Sequence, residues 1–369
     1  MIVKNESAII ERCLDAAKPI LDYVFICDTG SSDGTQDLIL NWLEKNNMEG
    51  KVFEEVFQNF GHNRTSAFNK AREAYPEADY IFLMDADERL EVLPKFNKDT
   101  LSKDSYTSMQ YSTTLKYWNK RLLKSSLNWE CVGVTHEYWD SESKEDSEKL
   151  PTLIVNDLGD GGSKTDKFAR DERLLLEGLS DADLLPNLQK RYLFYLANTY
   201  HDTKQYEKAI KWYEKRIKEK GWEEEVYYSY YRIGLCYHAL SENSEGAVLK
   251  AIAYLSQAWQ YRPTRAEPLY ELARIYRAQG NYLLATLCAN KGLEIPFPKN
   301  DVLFIVYPVY DYLLKFELSI SGYYVDKKIG MRAQRYLENK SDLPDKIKKQ
   351  VQKNSRFYEV KASSKQKNK

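Results

Sequence analysis

Short apolar runs alternate with amphipathic segments over the first part of the chain. Four apolar runs are predicted to be strands, at residues 2–3, 23–27, 52–53 and 80–84. The runs 23–27 and 80–84 have the length and composition of strands buried on both faces of a parallel sheet. The segments between the four runs carry apolar positions at helical spacing, over residues 7–17, 38–43 and 64–75. This regular alternation of strand and helix predicts a parallel sheet with right-handed crossovers.

The pattern changes after about residue 186, where small residues recur at positions that suit close helix packing. Ala197 and Ala209 are 12 positions apart, and Ala273 and Ala285 repeat that spacing. A middle copy begins at Gly234, which gives periods of 37 and 39 residues. Such periods are typical of tetratricopeptide-like helix pairs, so the second half is predicted to be an all-α repeat. Most of the 29 tyrosines lie there, and packing between helices is their predicted role.

Acidic residues follow the fourth apolar run at once: Asp85, Asp87 and Glu88. We call residues 85–88 the acidic turn, because an unpaired charge is too costly to continue a strand into a dry core. The carboxyl end of a strand is where open α/β sheets bind their ligands. Two aspartates one residue apart suit a divalent cation that also holds a phosphate. An acidic loop without a function is the alternative interpretation.

A second polar loop, residues 28–35, follows the second run with the sequence Asp-Thr-Gly-Ser-Ser-Asp-Gly-Thr. Its glycines allow a tight turn, and Ser32 or Asp33 is placed to cap the next helix. Capping does not account for Asp28, an acid at the carboxyl end of its strand. We therefore expect Asp28 to accept hydrogen bonds from a nucleotide base or ribose. Neither G-x-x-x-x-G-K-[ST] nor G-x-G-x-x-G occurs, so phosphates must be held by another route, such as a metal at the acidic turn.

Composition narrows the class of protein. The chain has 369 residues with 54 Lys and Arg against 55 Asp and Glu, a net charge of −1, which gives no electrostatic reason to expect nucleic acid or a membrane surface as partner. No apolar run approaches the roughly 18 residues of a transmembrane helix. The five cysteines are scattered and odd in number, as in a cytoplasmic protein with reduced thiols.

Four motifs occur together and in order: Met-Ile-Val-Lys-Asn-Glu-Ser at 1–7, Asp-Thr-Gly-Ser-Ser-Asp-Gly-Thr at 28–35, Phe-Gly-His-Asn-Arg-Thr at 60–65 and Leu-Met-Asp-Ala-Asp-Glu-Arg at 83–89. Together they resemble the family-2 glycosyltransferases of the GT-A fold. The resemblance extends to residues 121–123, 133–138 and 159–164. It is strongest to the subset in which this domain is fused to tetratricopeptide repeats, and so covers nearly the whole chain.

The resemblance implies a nucleotide-sugar donor, a UDP-sugar first of all, at the carboxyl ends of the strands. Asp28 would bind the base or ribose, and backbone from Val3 to Asn5 would line the base. Arg64 matches the family's arginine near the nucleotide, where a permanent positive charge suits a carboxylate or phosphate. Lys164 follows a glycine-rich stretch that is either a lid over the diphosphate or a linker between domains.

The resemblance also implies a metal ion. Asp85 and Asp87 would hold Mn²⁺ or Mg²⁺, with Asp85 also near the donor and Asp87 the more direct ligand. His136 matches a late family histidine that completes the coordination. Because Mn²⁺ accepts an imidazole beside oxygen ligands better than Mg²⁺ does, Mn²⁺ is favoured. The ion would neutralise the departing diphosphate, which makes Asp87 part of the catalytic set.

An inverting reaction needs a base to deprotonate the acceptor hydroxyl. Glu137 is the first choice, and Glu130 and Asp140 are alternatives that the sequence leaves open. The acceptor is a glycan, a lipid or a protein, and the sugar is a hexose or an N-acetylhexosamine. The first strand begins at Met1, so either this strand is unusually short or the natural chain starts upstream.

The predicted organisation is an α/β GT-A domain, Rossmann-like, at residues 1–165, a linker helix at 166–186, and a tetratricopeptide-like domain with capping helices at 187–340. Residues 341–369 are predicted to be helical and then a disordered basic tail. The predicted function is a metal-dependent inverting glycosyltransferase whose repeats offer a surface to a protein partner. Two other classes remain open: a nucleotidyltransferase of similar fold, and a catalytically inactive repeat scaffold.

Overall fold

The computed structural model describes residues 1–112, 116–162, 166–242 and 246–359. Contacts divide the chain into two compact units, one up to Tyr195 and one from Leu196 onward. The division falls inside a helix, and the predicted domain limits at residues 165, 186 and 340 stay predictions. The predicted basic tail lies outside the described residues. Within the described ranges, no helix is both long and apolar enough to cross a membrane.

The first unit opens with a three-stranded parallel sheet in the order β1-β2-β3. Its elements are β1 (Ile2–Val3), α1 (Ile10–Ala17), β2 (Tyr23–Asp28), α2 (Thr35–Lys45) and β3 (Glu49–Glu54). Its apolar core includes Ile10 on α1, Ile26 on β2 and Trp42 on α2. The predicted α/β alternation is confirmed here, because the first three apolar runs pair in parallel with helices between them.

A second, mixed sheet of five strands follows in the order β4-β7-β6-β10-β5. Its strands are β4 (Tyr80–Phe82), β5 (Glu88–Val92), β6 (Ser105–Tyr111), β7 (Lys116–Lys124) and β10 (Ser147–Asp157). The fourth apolar run was predicted to join the parallel sheet, and this prediction is wrong. It forms β4, which pairs with β7 in antiparallel fashion from Tyr80↔Lys124 to Phe82↔Leu122. An apolar run predicts a buried strand without specifying its partner.

Helix α3 (Phe60–Ala74) lies between β3 and β4 in the sequence. It packs against a hairpin of β8 (Trp129–Val132) and β9 (Tyr138–Ser141). The side chain of Asn59 caps α3 by accepting a hydrogen bond from the His62 amide at 2.8 Å. Gly61 lies so close to the hairpin that a Cβ there would be 2.3 Å from the carbonyl oxygen of Gly133. Only glycine permits this approach, which brings the first turn of α3 against the β8–β9 loop.

The remaining helices follow the β-rich part of the chain. They are α4 (Lys167–Leu179), α5 (Pro186–Asp202), α6 (Tyr206–Lys218), α7 (Glu223–Ala239), α8 (Ala247–Tyr261), α9 (Glu267–Ala278), α10 (Tyr282–Leu293), α11 (Leu314–Val325), α12 (Lys327–Glu338) and α13 (Asp345–Tyr358). Helices α6 to α13 belong to the second unit.

Small residues allow the repeat helices to pack closely, as predicted. Ala197, Ala209, Ala273 and Ala285 are fully buried. At Gly234 on α7, an added Cβ would lie 2.7 Å from Cγ of Leu255 on α8. The packing role predicted for the tyrosines also applies to several of them: Tyr213, Tyr227 and Tyr231 are buried between helices.

Candidate active site

Hydrogen bonds join the loop after β1, residues 4–9, which we call the first polar loop, to the second polar loop at residues 28–35. The Asn5 amide donates to Oγ of Ser31 at 2.9 Å, and Asn5 Oδ1 accepts from the Ser32 amide at 2.8 Å. The Ser7 amide donates to Asp33 at 3.0 Å. Asn5 has a φ of 56°, a left-handed conformation that asparagine tolerates better than most residues. The segments predicted to contact a nucleotide therefore form one edge of the sheet.

Asp28 ends β2 and is fully buried. Its Oδ1 accepts hydrogen bonds from the amides of Gly30 at 2.8 Å and Ser31 at 2.7 Å. Its Oδ2 is also buried and has no hydrogen-bond partner among the described residues. A buried acceptor without a donor is costly, so this oxygen is available to a ligand that donates a hydrogen bond.

Two polar groups near Asp28, the Val3 carbonyl and the Asp33 carboxylate, already accept hydrogen bonds from residues of the loop 28–35. The carbonyl oxygen of Val3 accepts hydrogen bonds from both the amide and the hydroxyl of Thr29, each at 2.9 Å. Asp33 accepts from the Thr35 amide at 3.1 Å, next to the start of α2. Burial opposes ionisation of Asp33, but the hydrogen bonds from Thr35 and Ser7 outweigh it and lower its pKa to about 2. Asp33 is therefore a structural part of the loop.

Arg64 joins the acidic turn to the β8–β9 loop. Its Nη2 lies 2.8 Å from Oδ1 of Asp85, and its Nε lies 2.7 Å from Oε1 of Glu137. The arginine side chain is 19% exposed. Burial tends to raise the pKa of Asp85, but Arg64 and then Arg121 outweigh it, so this pKa is lower than usual. The structure thus brings together three predicted site residues from three different elements.

A buried ion pair between Glu88 and Arg121 holds the acidic turn in place. Glu88 is 2% exposed, and its carboxylate accepts hydrogen bonds from the Asp85 amide at 2.9 Å and from Nη1 of Arg121 at 3.0 Å. A second contact joins Arg121 Nη2 to Glu88. The same arginine donates to the carbonyl oxygen of Leu83 at 3.3 Å. Burial, opposed by Arg121, raises the pKa of Glu88 to about 7.

The resemblance includes residues 121–123, but the pairing of Arg121 with the acidic turn was not predicted. This arginine lies in the middle of β7, in a run that reads as an ordinary sheet strand, and is 5% exposed. A buried arginine requires an acidic partner, so the one available signal is an arginine followed directly by Leu122 and Leu123. The sequence does not identify its partner, because Glu88 is 33 positions away.

Residues 158–162, which we call the glycine segment, contact both the acidic turn and the first polar loop. The backbone carbonyl of Asp87 accepts a hydrogen bond from the Leu158 amide at 3.0 Å. A Cβ on Gly161 would lie 3.3 Å from Oδ2 of Asp87, and one on Gly162 would lie 1.8 Å from the carbonyl oxygen of Asn5. Gly162 is therefore needed for its close approach, whereas a side chain at Gly161 would require only a small shift of the Asp87 side chain. Lys164 lies outside the described residues.

Two polar contacts fasten the glycine segment to the start of the chain. The Gly162 amide donates to Oε2 of Glu6 at 2.8 Å. Arg12 on α1 binds both carboxylate oxygens of Asp160, at 2.7 and 2.8 Å. These contacts tie the segment to α1 and to the loop that precedes it.

His136 has other partners. Its ring stacks on Tyr195 with 3.9 Å between centroids, and its Nε2 lies 4.0 Å from Oδ2 of Asp171. Its backbone carbonyl accepts a hydrogen bond from Arg191 at 2.7 Å. In the described parts of the chain, no three His, Cys, Asp or Glu side chains are gathered as a metal site. The metal role predicted for His136 stays a prediction.

The three candidate bases lie in different surroundings. Glu137 contacts Arg64 beside the acidic turn. Glu130 and Asp140 are exposed and face each other across the hairpin of β8 and β9. The geometry favours Glu137, because it alone of the three contacts an arginine that also binds Asp85.

Comparison with known proteins identifies two regions. Residues 1–96 match the family model described as Glycosyl transferase family 2, and residues 191–220 match the model of a tetratricopeptide repeat. The chain thus carries a family-2 glycosyl transferase domain followed by tetratricopeptide repeats, as the motifs predicted. The first match includes Asp28, Arg64, Asp85 and Asp87. His136 and Glu137 lie outside it.

Several solved structures have detectable similarity. MamA is 20% identical and covers 52% of this chain and 90% of its own, with a TM-score of 0.34. The tetratricopeptide repeat protein TTC0263 of Thermus thermophilus is 13% identical and covers 51% and 88%, with a TM-score of 0.36. S. aureus TarS 1-349 is 14% identical and covers 69% and 87%, with a TM-score of 0.29. No curated protein matches the chain in sequence.

Proposed function

We propose that this chain, with a family-2 glycosyl transferase domain over residues 1–96, is a metal-dependent, inverting glycosyltransferase. It transfers a hexose or N-acetylhexosamine from a UDP-sugar to a glycan, lipid or protein acceptor. One observation carries the proposal: the glycine segment contacts both Asp87 of the acidic turn and Asn5 of the first polar loop. A nucleotide diphosphate at this edge would lie beside all three.

The donor nucleotide would be recognised at Asp28. Its buried and unpartnered Oδ2 suits a base N–H or a ribose hydroxyl, because a bound donor would satisfy an acceptor that is otherwise costly. The strand β1 and the loop up to Asn5 would line the base. Arg64 holds Asp85 in place through an ion pair and adds positive charge near the diphosphate.

The acidic turn has the donor chemistry for Mg²⁺ or Mn²⁺. Asp85 and Asp87 provide carboxylate oxygens from one turn, and these ions are commonly bound by one or two carboxylates together with substrate phosphates and water. A preformed set of three protein ligands is therefore not required. When bound, the ion would supply charge neutralisation for the departing diphosphate.

Glu137 is the proposed base for the acceptor hydroxyl. The ion pair with Arg64 at 2.7 Å fixes its carboxylate beside the acidic turn. One oxygen contacts the guanidinium, and the side chain remains 16% exposed, so an acceptor has access to it. Positioning of this kind contributes to proton transfer because the base must lie within hydrogen-bond reach of the hydroxyl.

Removal of Asp87 tests the proposal. Purified protein is screened with Mn²⁺ and a panel of nucleotide sugars, and release of nucleoside diphosphate is measured. We expect Asp87→Ala to reduce turnover at least 100-fold, because a carboxylate ligand of the ion is lost. Asp99→Ala, an exposed aspartate of the same unit, serves as control and should retain full activity.

Three outcomes would contradict the proposal or part of it. Unchanged turnover in Asp87→Ala would exclude the metal assignment. Release of pyrophosphate from UTP and a sugar phosphate would indicate a nucleotidyltransferase instead. Failure to bind UDP in calorimetry with Mn²⁺ would indicate that the domain is catalytically inactive.

A further inference from the structure

Helix α13 in the second unit carries a local excess of positive charge. No acidic residue lies between Asp345 and Glu359 in the sequence. Five exposed cations occupy the helix between them, namely Lys346, Lys348, Lys349, Lys353 and Arg356. None of the five forms an ion pair with a residue that the structure describes. The net charge of −1 for the whole chain conceals this local excess.

Four of the cations share one face of the helix. Lys346, Lys349, Lys353 and Arg356 follow one another at intervals of 3, 4 and 3 positions, the spacing that places side chains in one row along an α-helix. With a rise of 1.5 Å per residue, this row is roughly 15 Å long. We call these four residues the basic stripe.

The opposite face of α13 is docked on the two preceding helices. Val351 is buried in an apolar cluster with Leu337 of α12. The side chain of Gln334, also on α12, donates a hydrogen bond to the Val351 carbonyl at 2.8 Å. The Tyr358 hydroxyl donates to the carbonyl of Ser319 on α11. These contacts hold α13 on the repeat and leave the basic stripe on its outer side.

Exposed aromatic side chains adjoin one end of the basic stripe. Phe357 directly follows Arg356 and is 61% exposed. Its ring centroid lies 5.7 Å from that of Tyr323 on α11, which lies 5.1 Å from that of Tyr324. Tyr324 and the next residue, Val325, are exposed as well. Cations and apolar side chains therefore form one continuous surface at the end of α13.

This combination has the chemistry of a surface that binds anionic lipid. The negative potential of an anionic bilayer attracts lysine and arginine, and clusters of about four or more on an amphipathic helix are typical of such binding. Aromatic side chains are enriched at the level of the lipid headgroups. Because α11 and α12 cover the back of α13, the helix cannot enter a groove of a nucleic acid, whereas a straight row of cations fits a flat surface.

We propose that the basic stripe, together with Phe357 and Tyr324, is a docking surface for a bilayer that contains anionic phospholipid. The four cations contact the headgroup phosphates, and the two aromatic side chains enter the interface beside them. The contact is peripheral and reversible, because the apolar face of α13 stays packed against the repeat. This inference goes beyond the proposed function, since it concerns where the chain binds and not what it transfers.

The test measures binding of the full chain to large unilamellar vesicles by flotation. Vesicles of phosphatidylcholine alone are compared with vesicles that contain phosphatidylcholine and phosphatidylglycerol in equal amounts. One variant neutralises the basic stripe: Lys346→Gln, Lys349→Gln, Lys353→Gln and Arg356→Gln. Because these side chains are exposed, the variant should remain folded, which circular dichroism verifies.

Helix α6 offers a matched control. It carries four exposed lysines at the same intervals of 3, 4 and 3 positions: Lys208, Lys211, Lys215 and Lys218. Their replacement by glutamine removes the same number of charges from the same unit. The positive charge of α6 is partly compensated by Glu207 and Glu214, so this helix should not bind an anionic surface.

We expect the chain to bind the anionic vesicles at least tenfold more tightly than the neutral ones, and the basic-stripe variant to lose at least tenfold in affinity. The α6 variant should stay within about twofold of the unmodified chain. Phe357→Ala should weaken binding roughly threefold or more, whereas Phe297→Ala, at an exposed phenylalanine elsewhere in the unit, should not. Raising the salt concentration from about 0.1 M to about 1 M should weaken binding of the unmodified chain, since the screening length falls from roughly 10 Å to 3 Å.

Several results would overturn the proposal. They are equal affinity for the two kinds of vesicle, equal loss in the two glutamine variants, and no effect of Phe357→Ala. Tighter binding to a short DNA duplex than to the anionic vesicles would assign the surface to nucleic acid instead. None of these readouts depends on sugar transfer, so failure of this proposal and failure of the proposed function are distinguishable.

Discussion

Arg64 brings together Asp85, predicted to bind the sugar donor, and Glu137, the predicted base for the acceptor hydroxyl. A single guanidinium contacts Asp85 through Nη2 and Glu137 through Nε, so two neighbouring N–H groups of its planar fork serve two different carboxylates. Lysine has one compact charge and no such geometry. The arginine is therefore required for its shape as well as its charge.

Substitution of Arg64 by lysine tests this geometry. We expect Arg64→Lys to lower kcat/KM at least tenfold, because one ammonium group does not reproduce both contacts in their observed directions. Arg72→Lys, on the same helix, is the control, since Arg72 contacts the carbonyl of Leu127 and the side chain of Asn128. Steady-state kinetics at several donor concentrations checks the prediction, and equal loss in both variants would contradict it.

Asp28 is a separate case, because its two oxygens have different environments. In Asp28→Asn, the amide oxygen still accepts from Gly30 and Ser31, so the loop remains in place. The amino group replaces the unpartnered oxygen and presents a donor where a nucleotide donor is expected. We predict a rise in KM for the nucleotide sugar of about tenfold or more, in line with one lost hydrogen bond to a charged group. The unfolding temperature should change little. A large loss of stability with unchanged KM would show that the role of Asp28 is structural.

Among the secondary-structure elements, the acidic turn is held mainly by β7, a strand distant in sequence. Arg121 and Glu88 fix the backbone at Leu83 and Asp85. Since β4 ends at Phe82, these contacts determine where the two aspartates project. The turn itself was predictable from an apolar run followed by acids. The ion pair that supports the turn was not predictable from the sequence. Arg121 lies on β7, and it reaches Glu88 because β7 pairs with β4, the strand that precedes the turn.

Close packing of α7 and α8 is testable at Gly234. We expect Gly234→Ala to destabilise the repeat unit by about 1–3 kcal/mol, the usual cost of overpacking, because the new Cβ would lie 2.7 Å from Leu255. Gly246→Ala is the matched control, since no described residue lies within 4 Å of a Cβ there, and its effect should be about 1 kcal/mol or less, the usual cost of alanine at a helix N-cap. Thermal or urea denaturation followed by circular dichroism measures both. Equal stability of the two variants would contradict this account of the packing.

On the scale of the whole molecule, the chain combines two units stabilised by different kinds of packing. The first unit buries aliphatic side chains between sheets and helices. The second buries many tyrosines and several ion pairs, such as Arg216 with Glu225 at 2.9 Å and Arg265 with Glu267 at 2.8 Å. The near balance of acidic and basic residues agrees with this pairing, although most pairs outside the cores contribute little to stability.

Local pattern in the sequence was sufficient for the class of each unit and for the choice of half of the candidate site residues. Apolar runs at 23–27 and 80–84, and small residues such as Ala197 and Ala273, report on periodicity and burial, which are local properties. Asp28 and Asp87 were found because each follows such a run. The ordered motifs then indicated the family.

Only the tertiary structure decided which elements meet. It paired β4 with β7 and brought Arg64 between Asp85 and Glu137. The physical reason is that strand pairing and ion pairing depend on groups far apart in the chain, and their choice of partner leaves no periodic signal in the sequence.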